Sequence, residues 1–149
     1  MRAAGLLERH EAFAGRLFGV TLAAFGVAVL IQIFLAGEAA MIDPAEWARH
    51  VAWVHIFQWI CVPLPFLAYG ASRRWAFAAL NLVPLALIGL QYALIHRALA
   101  HAWAALAGLH ALCGALLVGY VAVAFRTWRC AKRPDAKPPR SPGSRTANL

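Results

Sequence analysis

The chain has 149 residues, of which 62% are hydrophobic and 13% charged, and its mean hydropathy is +0.64. A soluble domain is about half apolar and a quarter charged, so this composition excludes an ordinary soluble domain and indicates a single polytopic membrane domain. The net charge of +8 gathers in one set of loops and at the C-terminal end, a placement that reads as membrane topology and not as nucleic-acid binding.

Residues 1–16 are polar and mixed, with Arg2, Glu8, Arg9, His10, Glu11 and Arg16, and predict a short amphipathic helix along the membrane face. No charge occurs over 17–35, so a first span is expected at about 17–36, long enough for a ~30 Å hydrocarbon core. It exceeds the roughly 7–15 residues of a signal-peptide core and is expected to be retained. The following loop holds Glu38, Asp43, Glu46 and Arg49. Asp43-Pro44 predicts a helix start, with Asp43 as N-cap and Pro44 in the first turn, which leaves Trp47 at the interface.

The second span is expected at about 50–70, kinked in its inner half where Pro63 and Pro65 remove backbone donors. After a basic turn with Arg73 and Arg74, the third span is expected at about 75–96, interrupted by Asn81 and Pro84. The fourth is expected at about 102–127, where Ala104, Ala105, Ala107, Gly108, Ala111, Gly114 and Ala115 predict close helix approach. Residues 128–149 are basic and proline-containing, without apolar periodicity, and are expected to be disordered. Cys61, Cys113 and Cys130 have no metal-ligand spacing and read as small buried residues or, for Cys130, part of the tail.

Lysine and arginine crowd the N-terminus, the Arg73-Arg74 turn and the tail. The positive-inside rule then predicts an all-α, four-transmembrane-helix bundle of two in-out-in hairpins. N- and C-termini are expected in the cytoplasm, and the chain in a bacterial inner (plasma) membrane. All histidines except His10 gather toward the outer leaflet, with Gln32, Gln58, Gln91 and Tyr92 around them. At about 1.5 Å per residue His55 lies ~6–8 Å and His110 ~10–12 Å inside their spans. His50, His96 and His101 lie near the boundary, where hydration alone accounts for a histidine. Ionisable groups within a bilayer are costly and suggest function, although a buried neutral histidine can also be satisfied by a backbone or glutamine partner.

Helical spacing puts His55, Gln58, Trp59 and Val62 on one face, and His50, Trp53 and Phe57 on a nearly opposite one. The two histidines therefore compete for the bundle interior. Trp59 could wall a flat ligand held by His55, and Trp53 and Phe57 one held by His50. On the fourth span Trp103, Ala107, His110, Gly114, Leu117 and Val121 share a face, and Gly114 leaves room beside His110. A weak internal repeat relates VLIQIFLAG (29–37) to IGLQYALIH (88–96). In each half a glutamine leaves the membrane and a histidine re-enters it: Gln32 to His50, and Gln91 to His110. Such halves can face two histidines across a bundle.

The succession FLAGEAAM, WARHVAWVH, LQYALIHRA and GLHALCGALLVGY before a basic end resembles a group of small bacterial four-helix integral membrane proteins of unknown function. It is also broadly similar to four-helix membrane b-type cytochromes. The second resemblance implies a haem b ligated by histidines on facing helices.

Read from the residues, one haem near the outer face would be held by His110 and by His55 or His50, with Gln32, Gln58 and Gln91 available to the free ring nitrogens. Its role would be one-electron transfer, with a quinone as a candidate partner. The alternative is a non-catalytic accessory or assembly subunit of a larger membrane complex, or a homo-oligomer, with the histidines as local hydrogen bonders. Catalysis is not expected: no nucleophile with its base, phosphate loop or HExxH motif is present.

Overall fold

The computed structural model describes residues 2–101 and 103–131. Among these the secondary structure is helical throughout, and four stretches are long and apolar enough to cross a membrane: Gly5–Met41, Pro44–Ser72, Trp75–His101 and Ala105–Cys130. The first is one helix, α1 (Arg2–Met41). The second comprises a 3-10 turn (Pro44–Glu46), α2 (Trp47–Phe57), another 3-10 turn (Gln58–Cys61) and α3 (Leu64–Ser72). The third is α4 (Trp75–Leu80) with α5 (Val83–His101), and the fourth is α6 (Ala104–Ala131). The polar N-terminal segment does not form a separate surface helix. From Arg2 it is the start of α1, continuous with the apolar run. The expected disordered tail lies, from residue 132 onward, outside the described residues.

The core follows two seams. On α1, Phe18, Leu22, Phe25 and Val29 are buried at alternating steps of four and three residues, and Gln32 continues the series half-buried. That spacing keeps one stripe against a neighbour, as in coiled coils. On α6 the buried stripe is Cys113, Leu117, Tyr120 and Ala124, with His110 three residues before it. Helix α1 packs against α2, α3 and α6, while α5 packs against α6 and the Gln58–Cys61 turn. Phe25 joins three elements, with ring centroids 6.0 Å from Phe57 and 6.5 Å from Tyr120.

Close helix approach does not use the small residues of α6 that the sequence suggests. Ala105, Ala107, Gly108, Ala111 and Ala115 are exposed, and a Cβ on Gly108 or Gly114 would meet open space. The close contacts come from glycines of α1. The Trp128 indole fills the volume that a Cβ on Gly19 would need, and Val121 Cγ1 would lie 3.0 Å from one on Gly26.

The second and third spans break where proline removes donors, and side chains repair the backbone. Before Pro63 the chain tightens, so Val62 N–H bonds the Trp59 carbonyl at 3.3 Å. This frees the Gln58 carbonyl, which accepts instead from the buried Cys61 thiol at 2.9 Å. Before Pro84, Asn81 N–H bonds the Ala78 carbonyl at 3.0 Å, freeing that of Phe77. The Asn81 side-chain amide donates to it at 2.6 Å. Asn81 has no solvent exposure, and its Oδ1 accepts from the Tyr120 hydroxyl of α6 at 2.6 Å. An unsatisfied backbone or amide group within a bilayer is costly, so Asn81 both patches its own helix and fastens span three to span four. Replacing Tyr120 by Phe should lower unfolding stability in detergent by about 0.6–1.7 kcal/mol, the range for side-chain hydrogen bonds within membrane bundles. An unchanged unfolding midpoint would refute this role for the bond.

Candidate functional site

The site is assembled by helix starts and seams. The Asp43 carboxylate accepts from Ala45 N–H at 2.9 Å and Pro44 follows it, as the sequence predicts, so α2 begins early. His50 then falls in the first turn of α2, only 8% exposed, with the Trp47 ring edge-on at 5.2 Å. Gln32 reaches it from the buried stripe of α1. His50 Nδ1 lies 3.3 Å from the Gln32 backbone carbonyl. A carbonyl can only accept, so Nδ1 carries the ring proton and Nε2 presents its lone pair. That lone pair accepts from the Gln32 side-chain amide nitrogen at 3.0 Å. The other end of the amide, Gln32 Oε1, is buried with no hydrogen-bond partner among the described residues.

The second hairpin repeats the first bond. His110 Nδ1 lies 3.2 Å from the Gln91 carbonyl, so it too is protonated at Nδ1 and directs its lone pair through Nε2. The sequence separations, 18 for Gln32–His50 and 19 for Gln91–His110, are those of the internal repeat. The two histidines meet: His50 and His110 have ring centroids 6.4 Å apart and ring planes at 60°. Two imidazoles from different hairpins thus converge, each oriented by a main-chain acceptor on the preceding span. The halves differ in one respect, because only His50 has its Nε2 engaged by a glutamine side chain among the described residues.

The other candidates lie elsewhere. His55 is exposed, and its Nδ1 is 3.2 Å from the Tyr92 hydroxyl on α5. Gln58 donates to the His55 carbonyl at 3.2 Å and belongs to the backbone repair before Pro63. Trp59 is 68% exposed. The inward face of α2 is therefore that of His50, Trp53 and Phe57, and the Trp53 indole N–H anchors it by donating to the Ala28 carbonyl at 2.9 Å. Gly114 is half-buried at the edge of the α6 stripe. His101 lies against Trp103, with ring centroids 5.5 Å apart.

Among the described residues no group of three or more histidine, cysteine or acidic side chains is placed to hold a metal ion. A metal bound by side chains alone typically takes four such ligands, or three and a water. Sequence reasoning named every side chain of this site, but the decisive oxygens are main-chain carbonyls, which no residue type announces.

Over residues 32–98, less than half of the 149-residue chain, the sequence is similar to a family of unknown function (DUF6220). No curated protein and no solved structure matches. The matched segment opens at Gln32 and includes His50, His55, Gln91 and His96, and it ends before His110.

The pairing of Gln32 with His50 can be measured directly. A double-mutant cycle of Gln32→Leu and His50→Leu, read by unfolding in detergent, should give a coupling of about 0.6–1.7 kcal/mol. Additivity of the two substitutions would contradict the contact.

Proposed function

We propose that this chain is a multi-pass membrane protein that binds one b-type haem near one face of the bilayer, with His50 and His110 as the axial ligands. The observation carrying the proposal is the convergence of two Nδ1-protonated imidazoles from different hairpins. Each Nδ1–H is satisfied by a carbonyl, the outer-shell bond that fixes ring orientation and raises the basicity of the other nitrogen.

The two rings, with centroids 6.4 Å apart, would hold the group through their Nε2 atoms. A haem supplies an iron that takes up and returns one electron, with its potential set by ligands and burial. The chain's own residues do the rest. His110 offers a free lone pair, and His50 offers one that the Gln32 amide must release. Trp47 shields the outer edge of His50 from water. The open space beside Gly114 leaves room along α6.

By the distribution of lysine and arginine, the site faces away from the cytoplasm and both termini lie in it; the resemblance to small bacterial membrane proteins makes a bacterial plasma membrane the proposed host. The role in this reading is one-electron transfer, as a haem held by two histidines would supply.

Protein purified from haem-sufficient cells should show a Soret band and a reduced-minus-oxidised difference spectrum. His50→Ala and His110→Ala should each cut haem content at least about tenfold, the scale on which metal sites respond to lost support. His55→Ala should leave it unchanged. A colourless protein recovered in a fixed larger complex would overturn the proposal and favour the accessory-subunit reading.

A further inference from the structure

Helices α1 and α6 run antiparallel and touch along one line. A Cβ on Gly26 would lie 3.0 Å from Val121 Cγ1, and the Trp128 indole covers Gly19. Beside that line the side chains are too short to close the space between the helices. A groove of about 360 Å³ results, lined by Gly26, Leu30, Val118, Val121, Ala122 and Phe125. Its lining is apolar, and it opens away from the bundle, where Leu30, Val118 and Ala122 are exposed.

The end of this face nearer the chain termini is basic. On α6, Val118, Ala122, Phe125 and Arg129 follow one another at steps of four, three and four residues, with Arg126 one turn beyond Ala122. On α1, Leu30, Gly26, Gly19 and Arg16 fall on one stripe. Arg16, Arg126 and Arg129 are exposed, and the Arg129 guanidinium lies 5.9 Å from the centroid of the Phe125 ring in the groove wall. The ion pairs of the described residues, Arg49–Glu46 and Arg73–Glu11, involve none of these three. We infer that the groove and its arginines bind one anionic phospholipid, with an acyl chain along the groove and the phosphate on Arg126 and Arg129. The site does not depend on the haem reading.

Length and charge select this occupant. From Val118 to Arg129 the face measures ~16 Å at about 1.5 Å per residue, close to one leaflet of a ~30 Å hydrocarbon core. An acyl chain that reaches the midplane therefore spans the groove while its phosphate stands beside the guanidinium groups. Guanidinium presents paired N–H donors that match phosphate oxygens. A zwitterionic headgroup brings an ammonium that offsets this attraction, whereas a net negative headgroup does not. A second copy of the chain fits less well. Copies in one membrane share one orientation, so a two-fold contact through this face sets both groups of arginines at the same depth, like charge against like.

The test uses the full-length protein, delipidated in detergent and observed by native mass spectrometry. Titration with dioleoylphosphatidylglycerol should load one lipid per chain saturably, and dioleoylphosphatidylcholine should bind more weakly. Arg129→Gln should weaken phosphatidylglycerol binding about tenfold, the scale of a lost charge-assisted hydrogen bond, and leave phosphatidylcholine unchanged. Ala122→Phe, which fills the groove from an exposed position, should weaken both lipids. Arg140→Gln, in the C-terminal tail, should weaken neither. Arg126→Gln gives a second reading of the charge if Arg129→Gln fails to fold. Equal affinity for the two headgroups, undiminished phosphatidylglycerol binding in the folded groove or arginine variants, an equal loss in Arg140→Gln, or displacement of the lipid by inorganic phosphate would overturn the proposal. So would a dimer that forms without lipid and is lost in Ala122→Phe.

Discussion

The arrangement depends on one bond made twice: an imidazole Nδ1–H donated to the main-chain carbonyl of a glutamine on the preceding span. A helix-interior carbonyl already accepts from the N–H four residues on, and its second lone pair is available. Histidines entering on the next helix reach that lone pair at His50 to Gln32 and His110 to Gln91. Both rings are thereby fixed in tautomer and direction before any ligand is considered. Each bond lies within one hairpin, and packing of the hairpins brings the two rings to 6.4 Å.

The hairpins join through aromatic packing, where Phe25 meets Tyr120, and through a polar contact between His55 of the second span and the Tyr92 hydroxyl of the third. Within the hairpins Phe25 touches Phe57 and the Tyr120 hydroxyl ends on Asn81. Span breaks supply the rest. Prolines that weaken spans two and three leave carbonyls open, and Cys61 and Asn81 close them locally. The bundle therefore separates its polar groups by task. Those beside the proline breaks maintain backbone where irregular structure would otherwise face hydrocarbon, and those near the loop of each hairpin orient the histidine rings.

Much of the fold was legible in the chain. Charge-free runs of membrane-spanning length, the Asp43-Pro44 start and the proline breaks near 63 and 84 follow from local chemistry, and the structure has helices and breaks at those places. The repeat of glutamine and histidine was also visible, and it marks the bonds that orient both rings. The inward face of α2 was not legible. Ideal α-helical spacing aligns His55 with Gln58, Trp59 and Val62, but the chain tightens to a 3-10 turn over Gln58–Cys61. His55, Trp59 and Val62 are nonetheless all exposed, so the stripe holds but faces away from the bundle, and spacing alone does not say which of the two stripes turns inward. The sounder signal was Trp53 and Phe57, large apolar side chains on the His50 side with no polar neighbour on their own stripe below. On α6 the stripe of His110, Gly114, Leu117 and Val121 read from the sequence is buried or half-buried, while Trp103 and Ala107 at its start are exposed. The small residues suggested contacts they do not make, and the seam through Cys113, Leu117, Tyr120 and Ala124 was the better guide.

Two histidine environments thus differ: His50 and His110 are turned inward with Nδ1 on main-chain carbonyls, and His55 is exposed beside the Tyr92 hydroxyl. The central claim is that His50 and His110, and not His55, face one another across the bundle and ligate one iron. Electron paramagnetic resonance of the purified ferric protein tests it most directly. The account predicts a low-spin bis-imidazole signal that persists in His55→Ala and is lost in both His50→Ala and His110→Ala. A low-spin signal that survives His50→Ala and disappears in His55→Ala would contradict it.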